Sequence, residues 1–492
     1  MQTNGENMRM LCDKIKNERE YEGFLKLRER MKTEKARPIT VTGLSDGARA
    51  AFYASAIDDL TANCPLPPLI LVPGEKEGLR LFNILTDCGI EPLSYPLRDF
   101  IFHNIKASHD YEHERLKVLS ELVLSGTAGA IIATPDAALQ MTMPPEYLRE
   151  CTIKLSLDTP YDPSELVKKL LMGGYVRTEM VDGVGQFAVR GGIIDVFPPL
   201  CPSPVRIDFF DTDIDQMGYF DLMTQRKTEN IVTVTIPPAR ELIPSEEARR
   251  EIGKTVQSLI KKAKNERIKN ELAEELDAIN NGLELDFIDK YLPVIYSEGY
   301  CLLDYYLDKN LNNGKAPLIF MQESNACAER VKGYDWHINE ELVSLAEDGL
   351  IALKNGTYAK NFGDFEEFTD ICGFVVIDTF VGNHERRSAG LFSFDTKQTV
   401  NYADNLELLR DDLESYMKRG YTAAVICENE AAVKSVQSAL FDSGINAVNV
   451  KNELSSDELL PRVAYVLTGT SIPGFELTGE RFAVLSMLPT GR

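Results

Sequence analysis

Short runs of consecutive apolar residues alternate with alanine- and leucine-rich helical stretches along the first third of the chain. Ile39-Thr40-Val41-Thr42-Gly43, Pro68-Leu69-Ile70-Leu71-Val72-Pro73 and Ala130-Ile131-Ile132-Ala133-Thr134-Pro135 each predict a buried strand. Helices are predicted from Ala48 to Asp58, after Gly74, and around His113 to Leu124. Strands that are apolar throughout, rather than at every second position, belong in a parallel sheet with helices on both faces.

The pattern changes near residue 154. Asp162-Pro163-Ser164-Glu165 carries a capping carboxylate, a proline at the first helical position and a glutamate three residues after the cap, and Gly173-Gly174 stops the helix. Gln186–Arg190 and Val205–Phe210 then alternate with a period of two, and Asp211-Thr212-Asp213 turns the chain into a further strand. This predicts a separate small α+β domain with one solvated sheet face. One long helical stretch, rich in Lys and Glu, is expected from Glu246 to about Ala278. Leu318-Ile319-Phe320-Met321 resumes buried strand and completes the first α/β domain after the insertion. A further α/β unit is expected from Phe374 onward, with strands at Ala423–Cys427 and Phe482–Leu485.

Length fits this division, because 492 residues exceed what one core supports and imply about three or four domains. A formal charge of -23 repels phosphate polyanions, so free nucleic acid is not an expected partner of this region by itself. The nine cysteines include no C-x-x-C pair and read as buried thiols of a reducing compartment. The polar start Met1-Gln2-Thr3-Asn4 has no signal-peptide core, and no run approaches the roughly 18 apolar residues of a membrane span. A soluble cytoplasmic protein is the expectation.

Three motifs invite chemistry. Val41-Thr42-Gly43-Leu44-Ser45-Asp46-Gly47-Ala48-Arg49 stands where a phosphate-binding loop would stand, between a strand and a helix. It departs from a working loop: three residues separate Gly43 from Gly47, and Ala48, Arg49 and Ala50 replace the lysine and hydroxyl that would reach phosphate and magnesium. Gly183-Val184-Gly185-Gln186-Phe187-Ala188 matches a dinucleotide fingerprint in form, but the strand pattern that follows it excludes the required helix. His109-Asp110-Tyr111-Glu112-His113, with His103 nearby, spaces two imidazoles for a helical metal site. Histidines among so many charges are expected to be solvated, so no metal, cofactor or catalytic residue is predicted.

Between Tyr175 and Arg226 the residues become distinctive as a set. Gly185-Gln186-Phe187-Ala188-Val189-Arg190-Gly191-Gly192-Ile193-Ile194-Asp195-Val196-Phe197-Pro198, Arg206-Ile207-Asp208-Phe209-Phe210, Asp213-Ile214-Asp215, Phe220-Asp221 and Thr224-Gln225-Arg226 resemble the domain shared by UvrB and the bacterial transcription-repair coupling factors (Mfd). His113-Glu114-Arg115-Leu116, Ala133-Thr134-Pro135 and Pro144-Pro145 extend the resemblance over the chain.

The resemblance implies an α/β multidomain protein: a UvrB-like, degenerate P-loop, helicase-type parallel-sheet core interrupted by a small α+β domain and followed by a further α/β domain. The implied divisions are domain 1A at 1–153, domain 2 at 154–239, domain 1B at 240–361 and domain 3 at 370–492. Domain 2 is implied to bind UvrA of nucleotide excision repair. A polymerase-binding domain, an ATP-driven DNA translocase and a C-terminal domain that masks the UvrA surface are implied farther along a longer parent protein. Phe320-Met321-Gln322-Glu323 resembles a Walker B sequence with Gln322 in place of the metal-directed aspartate. The degenerate nucleotide site therefore comprises Gly43, Gly47, Ala48, Arg49, Gln322 and Glu323.

For UvrA the candidate anchors are Arg177, Arg190 and Arg206, since guanidinium groups commonly anchor partner carboxylates. They stand either exposed on a docking face or paired within the domain with Asp195, Asp208 or Asp215. UvrB-like sequences carry arginine where this chain has Gly183, Val184 and Ala188. From Lys154 to Arg240 there are 9 Lys+Arg against 12 Asp+Glu, a net of −3. Two further readings remain open: a UvrB-like ATPase acting on damaged DNA, and a scaffold using domain 3 for an unidentified partner.

Overall fold

The computed structural model describes residues 2–30, 37–61, 64–100, 110–125, 128–281, 288–351, 357–371, 374–380, 388–403, 405–450, 459–469 and 472–488. Seven parallel strands form the first sheet, in the spatial order Gly390–Ser393, Ile39–Thr42, Phe374–Asp378, Ile319–Gln322, Leu69–Leu71, Ala130–Ala133 and Pro92–Tyr95. Leu69–Leu71, Ala130–Ala133 and Phe374–Asp378 are buried at every position, as strands covered on both faces require, and Ile39–Thr42 and Ile319–Gln322 are buried at all but Thr40 and Gln322. The Asp46–Thr61 and Glu75–Asp87 helices share one core with Ile70, Ile132 and Phe320, while Leu116, Leu119, Tyr305 and Val331 pack with Ile131 and Met321 in the other.

The strand at Phe374–Asp378 corrects the expectation that a new unit begins there: it sits inside the first sheet, between Ile39–Thr42 and Ile319–Gln322. The separate C-terminal sheet starts at Thr396 and runs Thr396–Gln398, Phe475–Leu477, Phe482–Ser486, Thr422–Cys427, Ala464–Thr468, Ala447–Asn449. Phe475, Phe482 and Val484 of this sheet join the first core, together with Met8 and Leu11 of the leader helix. The two α/β units therefore share apolar packing.

A two-stranded antiparallel neck, Ile153–Ser156 against Thr233–Ile236, carries the chain out of the first unit and back. Beyond it lies a six-stranded sheet covered by the Pro163–Met172 helix. Asp162 accepts a hydrogen bond from Ser164 N at 2.7 Å, and Gly174 takes φ +79° where the helix stops, so both ends follow from the residues that mark them. Phe187, Ile194 and Ile207 pack under the helix with Leu166 and Leu170. The opposite face is not wholly solvated as expected: Val181, Ala188, Phe197 and Phe220 bury a second, smaller cluster there.

The charged stretch after Ser245 is two helices, Glu246–Lys262 and Glu266–Asn280, not one. Asn265 breaks it by capping the second helix, its side chain accepting from Arg267 N at 2.9 Å. Two packed helices bury Ile252, Val256, Leu272 and Ile279 between them, which one straight helix could not do.

Candidate functional site: a closed turn and a docking face

At the carboxyl end of the first sheet the turn after Ile39–Thr42 enters the Asp46–Thr61 helix, the geometry from which a phosphate loop is built. The turn is occupied by protein. Gly43 has φ +76°, and a Cβ on it would lie 2.0 Å from the Phe394 carbonyl oxygen. Thr396 Oγ1 accepts from Ser45 N at 2.7 Å and donates to Gly43 O at 2.8 Å. From the other side, a Cβ on Gly47 would meet the Pro473 carbonyl at 2.1 Å. The start of the C-terminal sheet and the segment just before its Phe475–Leu477 strand thus hold the turn on two sides.

Arg49 fills what remains. Its guanidinium, 8% exposed, donates to Glu323 Oε1 at 2.8 Å and to Thr379 Oγ1 at 3.1 Å. Glu323 takes a left-handed φ of +52°, which aims its carboxylate at this pair, and Thr379 donates to it as well. Ala48 is fully buried and offers no group to a ligand. The residual cavity, about 250 Å³, is bordered by Asp46, Arg49, Glu77, Arg80, Gln322 and Glu323, three carboxylates against two guanidiniums. Of the six residues assigned to the degenerate site, Arg49, Gln322 and Glu323 border this cavity, while Gly43, Gly47 and Ala48 lie in the adjoining turn and the start of its helix. Thr379, Thr396 and Pro473 also belong to the site; their separation in sequence concealed them.

The dinucleotide-like glycines do not open a helix: Gly185 takes φ +79° and leads into the Gln186–Arg190 strand. His103 and His109 lie outside the described residues, and among the described residues no cluster of His, Cys, Asp or Glu has the geometry to hold a metal.

In the middle domain, register places Asp195 opposite both Ala188 and Arg206. Asp195 is 1% exposed and is shared by two guanidiniums. Arg206 forks onto it through Nε at 2.7 Å and Nη2 at 2.9 Å, donates to Gln225 O at 3.1 Å, and lies 4.6 Å from the Phe220 ring centroid. The hydrogen bonds that Arg206 donates to Asp195, together with the Asp195 charge, stabilise its cationic form. Arg190 also donates to Asp195, yet its side chain remains 46% exposed. Arg177 is exposed on the short Val176–Arg177 edge strand, in register with Phe187. Lys227 continues the charged face, reaching Asp208 at 2.5 Å and Gln216 at 3.2 Å. Arg190 and Arg206 are therefore joined by one carboxylate, while Arg177 stands apart.

The family model for the UvrB interaction domain matches residues 153–242, spanning the neck and this sheet. The chain is similar to the transcription-repair-coupling factor of Bacillus subtilis (strain 168), 26% identical over 458 residues, covering 91% of this chain and 38% of that protein. Those of Staphylococcus haemolyticus (25% over 461 residues, 91% and 38%) and Staphylococcus aureus strain Mu50 (24% over 458 residues, 91% and 37%) match similarly. The chain is a relative of the transcription-repair-coupling factors. It spans under two fifths of the length of these curated relatives. The resemblance carried by the strings between Gly185 and Arg226 thus holds, and it places a UvrB interaction domain within an α/β multidomain protein that has a parallel sheet.

Where this coupling-factor relative returns from its UvrB interaction domain to the first unit, a buried ionic cluster fixes the junction. Glu241, 0% exposed, accepts from Arg115 Nε at 2.9 Å and Nη2 at 3.0 Å, from Arg98 Nη1 at 3.0 Å and from Thr142 Oγ1 at 2.5 Å. Arg98 also binds Asp289 at 2.6 Å, and Glu112 accepts from Glu241 N at 2.6 Å and pairs with Arg240 at 3.1 Å. Burial alone would raise the Glu241 carboxyl, but the flanking Arg115 and Arg98 guanidiniums outweigh it and hold the group below the usual carboxylate range. Charged residues ordinarily read as solvated, so the sequence pattern did not mark this cluster. No helix among the described residues is long and apolar enough to cross a membrane.

Proposed function

We propose that this chain is a docking region of a transcription-repair coupling factor, presenting its middle domain to UvrA and performing no ATP hydrolysis by itself. The observation that carries the reading is the UvrB interaction domain at 153–242, with Arg190 half exposed on a charged sheet face and Arg177 exposed apart from it on the edge strand. On this reading the first sheet is a UvrB-like helicase core whose nucleotide site is closed. The Arg49–Glu323 pair, the clamp by Thr396 and the close approach of Pro473 to Gly47 all support closure. RNA polymerase and DNA are engaged by other parts of a longer protein, whose C-terminal domain covers the UvrA surface at rest.

Titration of the purified chain with UvrA tests the docking reading: saturable binding in the micromolar range or tighter is expected, and no complex at tens of micromolar overturns it. The rival ATPase reading predicts a nucleotide complex. A ligand at 100 times its dissociation constant adds about 2.7 kcal/mol to stability. Millimolar Mg-ATP is therefore expected to leave the melting temperature unchanged, and an upward shift of several degrees would restore the ATPase.

A further inference from the structure

A second cavity lies on the opposite face of the Glu75–Asp87 helix from the cavity at the closed turn. It encloses about 640 Å³ and is lined by every residue from 92 to 97. Successive strand residues point to opposite faces, so a cavity lined by six in a row runs along the edge of the Pro92–Tyr95 strand rather than over a face. That strand ends the sheet, and among the described residues no other strand pairs with its outer side.

The polarity of the edge can be worked out. In the neighbouring strand, Ile131 N donates to Pro68 O and Ala133 O accepts from Val72 N, so these residues face away from the edge strand. With Leu93 in register with Ile131, Leu93 and Tyr95 face the sheet, and the outward groups are the N–H and C=O of Ser94 and the C=O of Pro92. Prolines at 92 and 96 remove other donors, and Pro96 O is already taken by Arg115 Nη1 at 3.0 Å. The edge thus presents one donor and two acceptors at strand spacing. The groove walls differ: the Glu75–Asp87 helix contributes Leu79, 64% exposed, and Phe82, whereas the Asp110–Ser120 helix contributes Glu114 and Lys117, which make no ion pair among the described residues.

We propose that this groove binds an extended segment of a partner protein by strand addition to the Pro92–Tyr95 edge. The donor and acceptor pattern of the edge calls for a peptide backbone, and the unlike walls select its side chains. Apolar residues at alternate positions meet Leu79 and Phe82. The intervening positions carry a cation opposite Glu114 and an anion opposite Lys117. A volume of this size lies within the roughly 300–1,000 Å³ common for binding pockets.

The probes are fluorescein-labelled octapeptides alternating valine with threonine, lysine and aspartate, against an all-polar control of the same charge. Anisotropy titration is expected to show saturable binding of the alternating peptides. Ser94→Pro removes the one outward N–H at a position where an edge strand tolerates proline, and Leu79→Asp places a charge on the apolar wall. Each is expected to weaken binding at least tenfold while leaving the melting curve unchanged. Absence of saturation by every alternating peptide up to millimolar concentration overturns the proposal, as does undiminished binding by a folded Ser94→Pro variant. UvrA titration is independent of this edge and is expected to be unaffected by either variant.

Discussion

Replacing Glu241 by glutamine tests whether the junction cluster supports the fold. The carboxylate takes two hydrogen bonds from Arg115, one from Arg98 and one from Thr142, all in a site with no exposure. Arg98 retains Asp289 in the variant, but Arg115 loses its carboxylate partner Glu241, and the new amide points N–H groups at guanidinium N–H groups. Removing one member of a buried ion pair costs about 3–5 kcal/mol, because an uncompensated charge remains out of water. Urea unfolding at pH 7.5, followed by circular dichroism and tyrosine fluorescence, is expected to show a loss of that size. The pH dependence follows from the depressed Glu241 carboxyl. Its contribution is complete above the unfolded carboxylate value of about 4.3 and is lost as pH falls through the lower folded value, so the two proteins should converge in acid. A variant within about 1 kcal/mol of wild type at pH 7.5 would refute the reasoning.

Arg190→Glu and Arg206→Glu should separate docking from folding: the first is expected to weaken UvrA binding tenfold or more with little change in melting, because a side chain 46% exposed can turn its new carboxylate to solvent, whereas the second should lower the melting temperature, since at a position 16% exposed the carboxylate is held against buried Asp195. Equal loss of stability in both variants would remove Arg190 from the docking role. Gly47→Ala forces a methyl to 2.1 Å from the Pro473 carbonyl and should cost about 1–3 kcal/mol by overpacking, read from denaturant midpoints. Leu166→Ala, at a fully buried position under the middle sheet, should cost about 2–5 kcal/mol, visible as earlier proteolysis between residues 153 and 242.

Local pattern carried the individual elements well and their partnerships poorly. The apolar runs at Leu69 and Ala130 read directly as buried parallel strands, since burial on both faces favours apolar residues at every position, and those at Ile39 and Phe320 read so despite Thr40, Thr42 and Gln322. The same property misplaced Phe374–Asp378: a run buried on both faces carries no mark of which neighbours it pairs with. Asn265 was a readable cap, but the Lys and Glu around it sustain helix on both sides and masked the break. Of the candidate site, the missing lysine after Gly47 was legible as a loss of chemistry. The replacement by Arg49 bonded to Glu323 was not, because those residues are 274 positions apart. Likewise the two states left open for Arg190 and Arg206 are resolved by one buried carboxylate, Asp195, whose depth depends on the small cluster around Phe220 that alternation alone did not reveal.

The threading of the first sheet also dictates an order of assembly. The Ile39–Thr42 strand lies between Phe374–Asp378 and Gly390–Ser393, so neither of its neighbours exists until more than three hundred further residues have left the ribosome. The middle sheet closes entirely within residues 176 to 230, and its neck pairs residue 156 with residue 233. During synthesis the middle domain can therefore mature while the first sheet still waits for its central strands. An early partner would meet the middle domain before the remainder of the molecule had formed.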